Sequence, residues 1–419
     1  MSSNTIPSTV AISVKQAQQH IQDAVVPVSD GVYVNLHAGL NRVLGKDIIA
    51  PVDVPAFDNS AMDGFAFRAM DLQSCDRLTV VGQSYAGHPF QGQLQFGQAI
   101  RITTGAPMPE YADSVLPQEF AVMEGETTLV MNNVVVRPGQ NRRRRGEDIA
   151  AGSKALSKGK HLGPAELGLL ASLGLSTVPV QRKLRVAIFS TGDELRNVGQ
   201  TLDSGSVYDS NRVTLQALLT QFGAEVLDLG VIPDDEAAME AALKQSANQV
   251  DVIITSGGVA AGAADFTKKV MEKLGRMNFW SVKMRPGRPL AFGSIAKNHA
   301  TEKTYVFGLP GNPVAMMVSF YFFVRPALQL LSGSHIVMPP TIRATATQAI
   351  EKKVGRTEFQ RGIHRLDERG NSQVSITGEQ GSAMLSSMAL ANCFIILEPE
   401  QENICAGDTV KIMLFDGLN

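Results

Sequence analysis

Val250-Asp-Val-Ile-Ile-Thr-Ser-Gly-Gly-Val-Ala-Ala-Gly262, with Asp265 close behind, is the stretch on which the fold turns. Its opening residues have the β-branched, nearly unbroken apolar content of a strand buried in a parallel sheet. The glycines then let the backbone turn tightly and bring its N–H groups close to a ligand. A helical pattern over 265–274 points its positive end at the same place. Strand, glycine loop and helix together make an anion site, and Asp265 suits a metal ion that the anion shares.

The pattern repeats around this unit. Strand candidates lie at 184–190, 224–232, 250–255 and 304–309, with helical patterns at 211–221, 235–246, 265–274 and 313–331. Repeated βα units of this length predict a doubly wound, mostly parallel sheet whose ligand sits beyond the carboxyl ends of the strands. Upstream, residues 13–47 are expected to be helical, with Val14, Ala17, Ile21 and Val25 at helix spacing. Pro27 and Gly31 interrupt that pattern, and a second helical stretch is expected to lead to Leu44. Residues 51–138 change to short β-like runs at 77–81, 99–103 and 128–131, which reads as an inserted β-rich module. A further helix is expected over 165–173. From 339 onward short strands return at 341–346, 393–397 and 409–414, as in a small β-barrel or sandwich.

At 419 residues the chain calls for roughly two to four domains. A 19% share of charged residues is ordinary for a globular protein, and the net charge of −2 leaves no bulk drive toward nucleic acid or a membrane surface. Cys75, Cys393 and Cys405 lack the spacing of a disulfide framework or zinc site, which fits a reducing cytoplasm. Residues 1–14 lack the charged and apolar regions of a signal peptide. The apolar run 314–324 is about half a bilayer span, carries Ser319 and ends at Arg325, so it reads as a buried helix.

Polar loops follow the strands: Ser190-Thr-Gly-Asp-Glu-Leu195, the glycine loop, Arg285-Pro-Gly-Arg-Pro289 and Gly308-Leu-Pro-Gly-Asn-Pro313. Each alone has an ordinary explanation as a turn or helix start. On one rim they would set Asp193, Glu194 and Asp265 against Arg285 and Arg288. Carboxylates suit Mg²⁺ and guanidinium forks suit an oxyanion, as nucleotidyl or phosphoryl chemistry requires. In the β-rich module, Asp58, Asn59, Ser60 and Asp63 share a loop with Phe57 and Met62, and Thr104 offers a hydroxyl at another strand end. The run Arg142-Arg-Arg-Arg145 beside Gly146-Glu-Asp148 reads as a solvated face or as local ion pairs.

Taken in order, these blocks resemble the molybdopterin molybdenumtransferase family, which includes the E domain of gephyrin. They are Phe57-Asp-Asn-Ser-Ala-Met-Asp-Gly64, Thr104-Gly-Ala-Pro-Met-Pro109, Gly146-Glu-Asp-Ile149, Ser190-Thr-Gly-Asp-Glu-Leu195, Tyr208-Asp-Ser-Asn211, Ser256-Gly-Gly-Val259, Gly308-Leu-Pro-Gly-Asn-Pro313 and Gly355-Arg-Thr-Glu-Phe-Gln-Arg361. The resemblance implies an elongated helical domain (1–50 with 145–180), an inserted β-rich domain (51–144), an α/β domain (181–331) and a C-terminal β-barrel (332–419). It implies a cytoplasmic homodimer with a cleft shared between subunits, adenylylated molybdopterin and molybdate as substrates, and Mg²⁺ as cofactor. Insertion of molybdate with release of AMP would follow, with a molybdopterin adenylyltransferase as a possible partner.

In residues, the resemblance puts Mg²⁺ on Glu194 and Asp265 and the phosphate on Ser256, Gly257 and Gly258. Arg285, Arg288 and Arg356 would hold molybdate. Pro310, Gly311, Asn312, Pro313 and Asp63 would line the substrate, and Asp58, Thr104, Asp148 and Asp234 would be further catalytic positions. The chain departs from the family pattern at Ala260 and Ala263, where a serine and a glutamate are usual, and at Ser281 and Ala315, usually lysine and serine. Its Arg285 and Arg288 replace lysines. These changes leave open a paralogue that inserts tungstate or takes another nucleotide-linked pterin, and a non-catalytic scaffold of the same fold.

Overall fold

The computed structural model describes residues 11–131, 134–233, 235–258, 264–297 and 302–415, with the side chains of 264–268 and Phe279 left aside. The chain divides into two compact units, Met1–Val32 with Asn41–Val43 and Gln181–Asn419, and Tyr33–Leu40 with Leu44–Val180.

In the first unit, β1 (Arg185–Thr191), β2 (Glu225–Ile232), β3 (Val252–Ser256), β4 (Gly275–Ser281), β5 (Pro289–Ala296) and β6 (Lys303–Leu309) form one sheet in the order β2-β1-β3-β6-β5-β4. The pairs β1–β2, β1–β3 and β3–β6 are parallel, whereas β5 runs antiparallel to both β6 and β4. Alternate residues point to opposite faces. Val186, Ile188, Val252, Ile254 and Phe307 enter one apolar cluster, and Ala187, Phe189, Ile253 and Val306 enter another. Both faces are buried, which is why β1 and β3 read as unbroken apolar runs.

Helices cover both faces. On the first lie α1 (Val14–Ala24), α2 (Ser210–Phe222) and the long helix Pro313–Leu331, and on the second lie α3 (Glu236–Ala247) and α4 (Ala264–Leu274). The expected α/β architecture is therefore present. Ser13 starts α1 with a capping box: its Oγ accepts from Gln16 N at 3.2 Å, and Gln16 Oε1 accepts from Ser13 N at 2.9 Å. Val14, Ala17 and Ile21 fill one face, and the helix ends before Val25. No second helix follows. Gly31–Asn35 is a strand and Leu36–Gly39 a single 3₁₀ turn.

Sequence periodicity did not reveal β5. Pro289 and Gly293 interrupt its strand pattern, yet a Cβ at Gly293 would lie 2.1 Å from Arg276 O, so this close antiparallel approach requires glycine. The helix Pro313–Leu331 has 19 residues, long and apolar enough to cross a membrane, but it is packed in the core. It contains a π-turn, Phe320–Val324, just before Pro326. Proline has no N–H to give Phe322 O four residues back, and Gln18 Nε2 donates to that oxygen at 3.1 Å.

Downstream, β7 (Thr341–Ala346), β8 (Thr357–Leu366), β9 (Ser372–Ile376), β10 (Cys393–Leu397) and β11 (Thr409–Leu414) close into a five-stranded barrel, β8-β9-β7-β11-β10 and back to β8. Its interior holds Ala344, Val374, Ile395, Val410 and Ile412. The two residues Met284–Arg285 add to β8 in parallel, joining the arginine loop to the barrel.

The second unit contains a six-stranded sheet in the order Ser114–Pro117, Gly64–Phe67, Gln98–Ile102, Arg77–Ser84, Thr128–Val130, Val122–Glu124. It also contains the helix Pro164–Ser172, whose Leu170 packs with Leu44, Leu162 and Val178.

Candidate functional site

At the carboxyl rim of the α/β sheet lies a cleft of about 1060 Å³. The rim position follows from topology. Chain direction brings the ends of β1, β3 and β6 to one edge, and the antiparallel β4–β5 pair delivers its connecting arginine loop there as well. The four loops meet, placing Glu194, Ser256, Gly257, Gly258, Arg285, Arg288, Pro310, Gly311, Asn312 and Pro313 on one cleft, joined by Arg356 from just before barrel strand β8, while Asp193 does not line it.

The glycine loop is set by sterics. Gly257 has φ +94°, and a Cβ there would lie 2.8 Å from Thr191 O. Its N–H is not available to an anion, because it donates to Leu309 O at 3.0 Å. Gly258 N–H has no backbone partner among the described residues, so of this pair it is the amide able to meet an anion. Ser256 Oγ accepts from Asn211 Nδ2 at 2.7 Å, and the same Nδ2 donates to Gly311 O at 2.6 Å. Asn211 thereby ties two cleft loops together, and its buried Oδ1 has no partner among the described residues.

Asp209 is buried and committed to structure. It accepts from Ser190 Oγ at 3.1 Å and from Arg212 Nε at 3.0 Å, while Arg212 Nη1 also reaches Asp228 at 2.6 Å. Glu194, by contrast, is exposed and folds back over Gly192, where a Cβ would lie 2.6 Å from its Oε2. No group of three or more potential metal-ligating side chains occurs among the described residues. One or two carboxylates that leave room for phosphate oxygens and water suit Mg²⁺ better than a closed protein cage. Asp265, Asp234, Ala260 and Ala263 lie outside what is described, the first as a side chain.

The arginines are not alike. Arg288 Nε donates to Ser281 Oγ at 2.8 Å, whereas the Arg285 side chain has no hydrogen-bond or ion-pair partner among the described residues. Ser281, one of the departures, therefore orients an arginine of the cleft, and Ala315 lines the same wall. Gln380, Gly381, Ser382 and Ala383 from the barrel also line the cleft, and Asn312 Nδ2 donates to Ser382 Oγ at 3.0 Å. Neither this barrel loop nor the roles of Asp209 and Asn211 followed from the sequence. The Tyr208–Asn211 run beside a helix start was the available signal for the latter two.

Asp58, Asp63, Thr104 and Asp148 belong to the second unit. Arg142 Nη2 pairs with Asp58 Oδ2 at 2.7 Å, and Arg145 N donates to Asp58 Oδ1 at 2.7 Å, so the arginine run includes local ion pairs. Thr104 donates to Asp63 Oδ1 from its backbone N at 2.6 Å and its Oγ1 at 2.8 Å. These two bonds hold the Asp63 carboxyl below its usual range. Asp148 is exposed, with its backbone N–H bonded to Val54 O at 3.0 Å.

Residues 12–174 match the MoeA N-terminal region (domain I and II), 187–330 the probable molybdopterin binding domain and 343–415 the MoeA C-terminal region (domain IV). The chain is 44% identical over 408 residues to the molybdopterin molybdenumtransferase of Haemophilus influenzae, covering 97% of this chain and 99% of that one. The chain belongs to the molybdopterin molybdenumtransferase family. It is also 35% identical over 430 residues to gephyrin of Dictyostelium discoideum, covering 92% of this chain and 60% of gephyrin. Among solved structures, the molybdopterin biosynthesis moeA protein of Pyrococcus horikoshii OT3 superposes with a TM-score of 0.83 at 29% identity, covering 97% of this chain and 100% of that one. Within the family frame, a barrel-borne loop and a paired-arginine wall are how this member builds its cleft.

Proposed function

We propose that this protein is a transferase that inserts molybdate into adenylylated molybdopterin and releases AMP, with Mg²⁺ as cofactor. The observation that carries the reading is the convergence of Glu194, the Ser256-Gly-Gly258 loop and Arg285, Arg288 and Arg356 on one cleft. Gly258 N–H and the Ser256 hydroxyl bind phosphate oxygens, while Glu194 and Asp265 would hold the metal. Mg²⁺, when bound, neutralises charge at the pyrophosphate linkage. The guanidinium forks hold the tetrahedral oxyanion by paired hydrogen bonds and keep it where the dithiolene sulfurs arrive. Asn211 and the Asn312–Ser382 contact keep the loops in register, so little reorganisation is needed when charge shifts.

The same reading assigns a homodimer. Asp58, Asp63, Thr104 and Asp148 of one copy complete the cleft of the other, with the half-exposed Phe57 and Met62 as apolar anchors of that contact. The four-domain division of the chain, the catalytic role of Asp234, the supply of substrate by a molybdopterin adenylyltransferase and action in the cytoplasm belong to this proposal too. Purified protein given adenylylated molybdopterin, molybdate and Mg²⁺ is expected to release AMP, followed by chromatography. Binding of the nucleotide-linked pterin without AMP release, with molybdate or tungstate, overturns the transferase reading. Mixing Asp58→Asn with Glu194→Gln protein is expected to restore activity through hybrid dimers. Two variants that stay inactive together while exchanging subunits overturn the shared cleft.

A further inference from the structure

Arg361 is among the largest fully buried side chains of the molecule, 1% exposed, and no carboxylate among the described residues forms an ion pair with it. All its hydrogen-bond acceptors among the described residues are neutral. Nε donates to Ser387 Oγ at 2.9 Å, and Nη2 donates to Gly381 O at 2.9 Å and Glu379 O at 3.4 Å. Its backbone joins the same segment: Arg361 N donates to Gln380 Oε1 at 2.7 Å, and Thr377 N donates to Arg361 O at 3.1 Å. A buried cation without a counter-ion is costly, and an apolar side chain of similar size would fill the space more cheaply.

Two features show what this arrangement serves. The segment hung on Arg361 includes Gln380, Gly381, Ser382 and Ala383, which line the cleft. It is seated on the start of the long helix through Asn312 Nδ2 to Ser382 Oγ and Val314 N to Ser382 O, both 3.0 Å. Arg361 also lies on the strand that pairs with Met284–Arg285, three residues beyond Glu358, the register partner of Arg285. Burial first, and Arg285 second, bring the Arg361 guanidinium down to about 10, so it remains a cation at neutral pH.

We infer that Arg361 is a positioning residue of the oxyanion corner: it hangs the 379–387 segment on barrel strand β8 and places a permanent positive charge near Arg285. The inference rests on the reading above that Arg285, Arg288 and Arg356 hold an oxyanion. It assigns the barrel a part in anion binding through a residue that does not itself line the cleft.

Calorimetric titration of the full-length protein with sodium molybdate, at several salt concentrations, tests it. Arg361→Met is expected to weaken molybdate binding about tenfold and to flatten its salt dependence, while Arg361→Lys stays within about threefold of wild type. A merely structural role would not change the salt slope. Arg361→Met protein that binds molybdate as wild type does, or Arg361→Lys protein as weak as Arg361→Met, overturns the inference. If Arg361→Met does not fold, Arg361→Lys decides: affinity near wild type supports the inference and a loss equal to that of Arg285→Ala overturns it. Arg285→Ala separates the two readings. If it abolishes binding while Arg361→Met does not, only the role of Arg361 fails. If neither variant changes binding, or wild type binds no molybdate, the oxyanion reading fails with it.

Discussion

Replacing Gly257 by alanine tests the physical basis of the cleft most directly. The backbone there has φ +94°, in the left-handed region, which costs an L-residue about 1–2 kcal/mol. The added methyl would start 2.8 Å from Thr191 O and 3.4 Å from Thr191 Oγ1. A carbonyl oxygen in β1 cannot rotate away as a flexible side chain would, so relief requires β1 and the glycine loop to part. Overpacking of this kind costs about 1–3 kcal/mol, giving a sum of roughly 2–5 kcal/mol. Gly223 supplies the control. It ends α2 at φ +89°, and an alanine methyl there would meet nothing within 4 Å, so Gly223→Ala should lose only the conformational part, about 1–2 kcal/mol. Urea unfolding of the two variants, followed by circular dichroism, isolates the steric part as their difference. Gly257→Ala should also lose AMP release beyond its loss of stability, because the displaced loop carries Ser256 and Gly258. Equal destabilisation of both variants, with normal turnover in Gly257→Ala, would refute the reasoning.

Further outcomes are expected. Asp251 is buried and receives Arg182 Nη1 and Nη2 at 2.7 and 2.8 Å and Arg185 N at 2.9 Å. Burial alone would raise its carboxyl, but Arg182 and the Arg185 amide outweigh it and hold the carboxyl below its usual range. A depressed carboxyl contributes stability above the unfolded value, near 4, and loses it as pH falls through the folded value. Asp251→Asn should therefore cost on the order of 3 kcal/mol near neutrality and remove part of the acid-side decline below about pH 4, both read from unfolding curves against pH. Gln18→Leu removes the donor to Phe322 O and should cost about 1 kcal/mol in urea unfolding without changing AMP release. Glu194→Gln should reduce AMP release about a hundredfold and raise the Mg²⁺ concentration needed, with an unchanged unfolding midpoint.

The legible features were those in which one segment states its own physical requirement. Val252–Ser256 is buried at every position of the pleat and mostly apolar, so a buried parallel strand could be read from it. Pro313 following Asn312 announces a helix start. The strands β4 and β5 were harder because their glycines are required by a partner strand, with Gly275 and Gly293 each meeting backbone across the pair. Residues 36–44 carry apolar spacing that suits a helix, but packing against Leu162, Leu170 and Val178 favours extended and 3₁₀ backbone. At the site, residue types were visible and their commitments were not. Gly257 belongs to an anion loop by sequence, yet the parallel register of Ser256 with Leu309 takes its N–H. Asp209 looks as available as Glu194 until Ser190 and Arg212 are seen to occupy it.

The two arginines of the cleft loop, Arg285 and Arg288, make the same point about partners. A lysine ammonium is a compact, strongly hydrated point charge, whereas an arginine fork has a plane that must be aimed. Ser281 Oγ takes Arg288 Nε, leaving the terminal nitrogens of that fork for an anion and fixing the plane they present. Arg285 has no such anchor among the described residues; its backbone is held instead, through the pairing of Met284–Arg285 with β8. One arginine is thus oriented from its side chain and the other from its main chain. Ser281 thus supplies the acceptor that aims Arg288. Donors aimed in this way are directional and suit an anion recognised by geometry more than by charge alone.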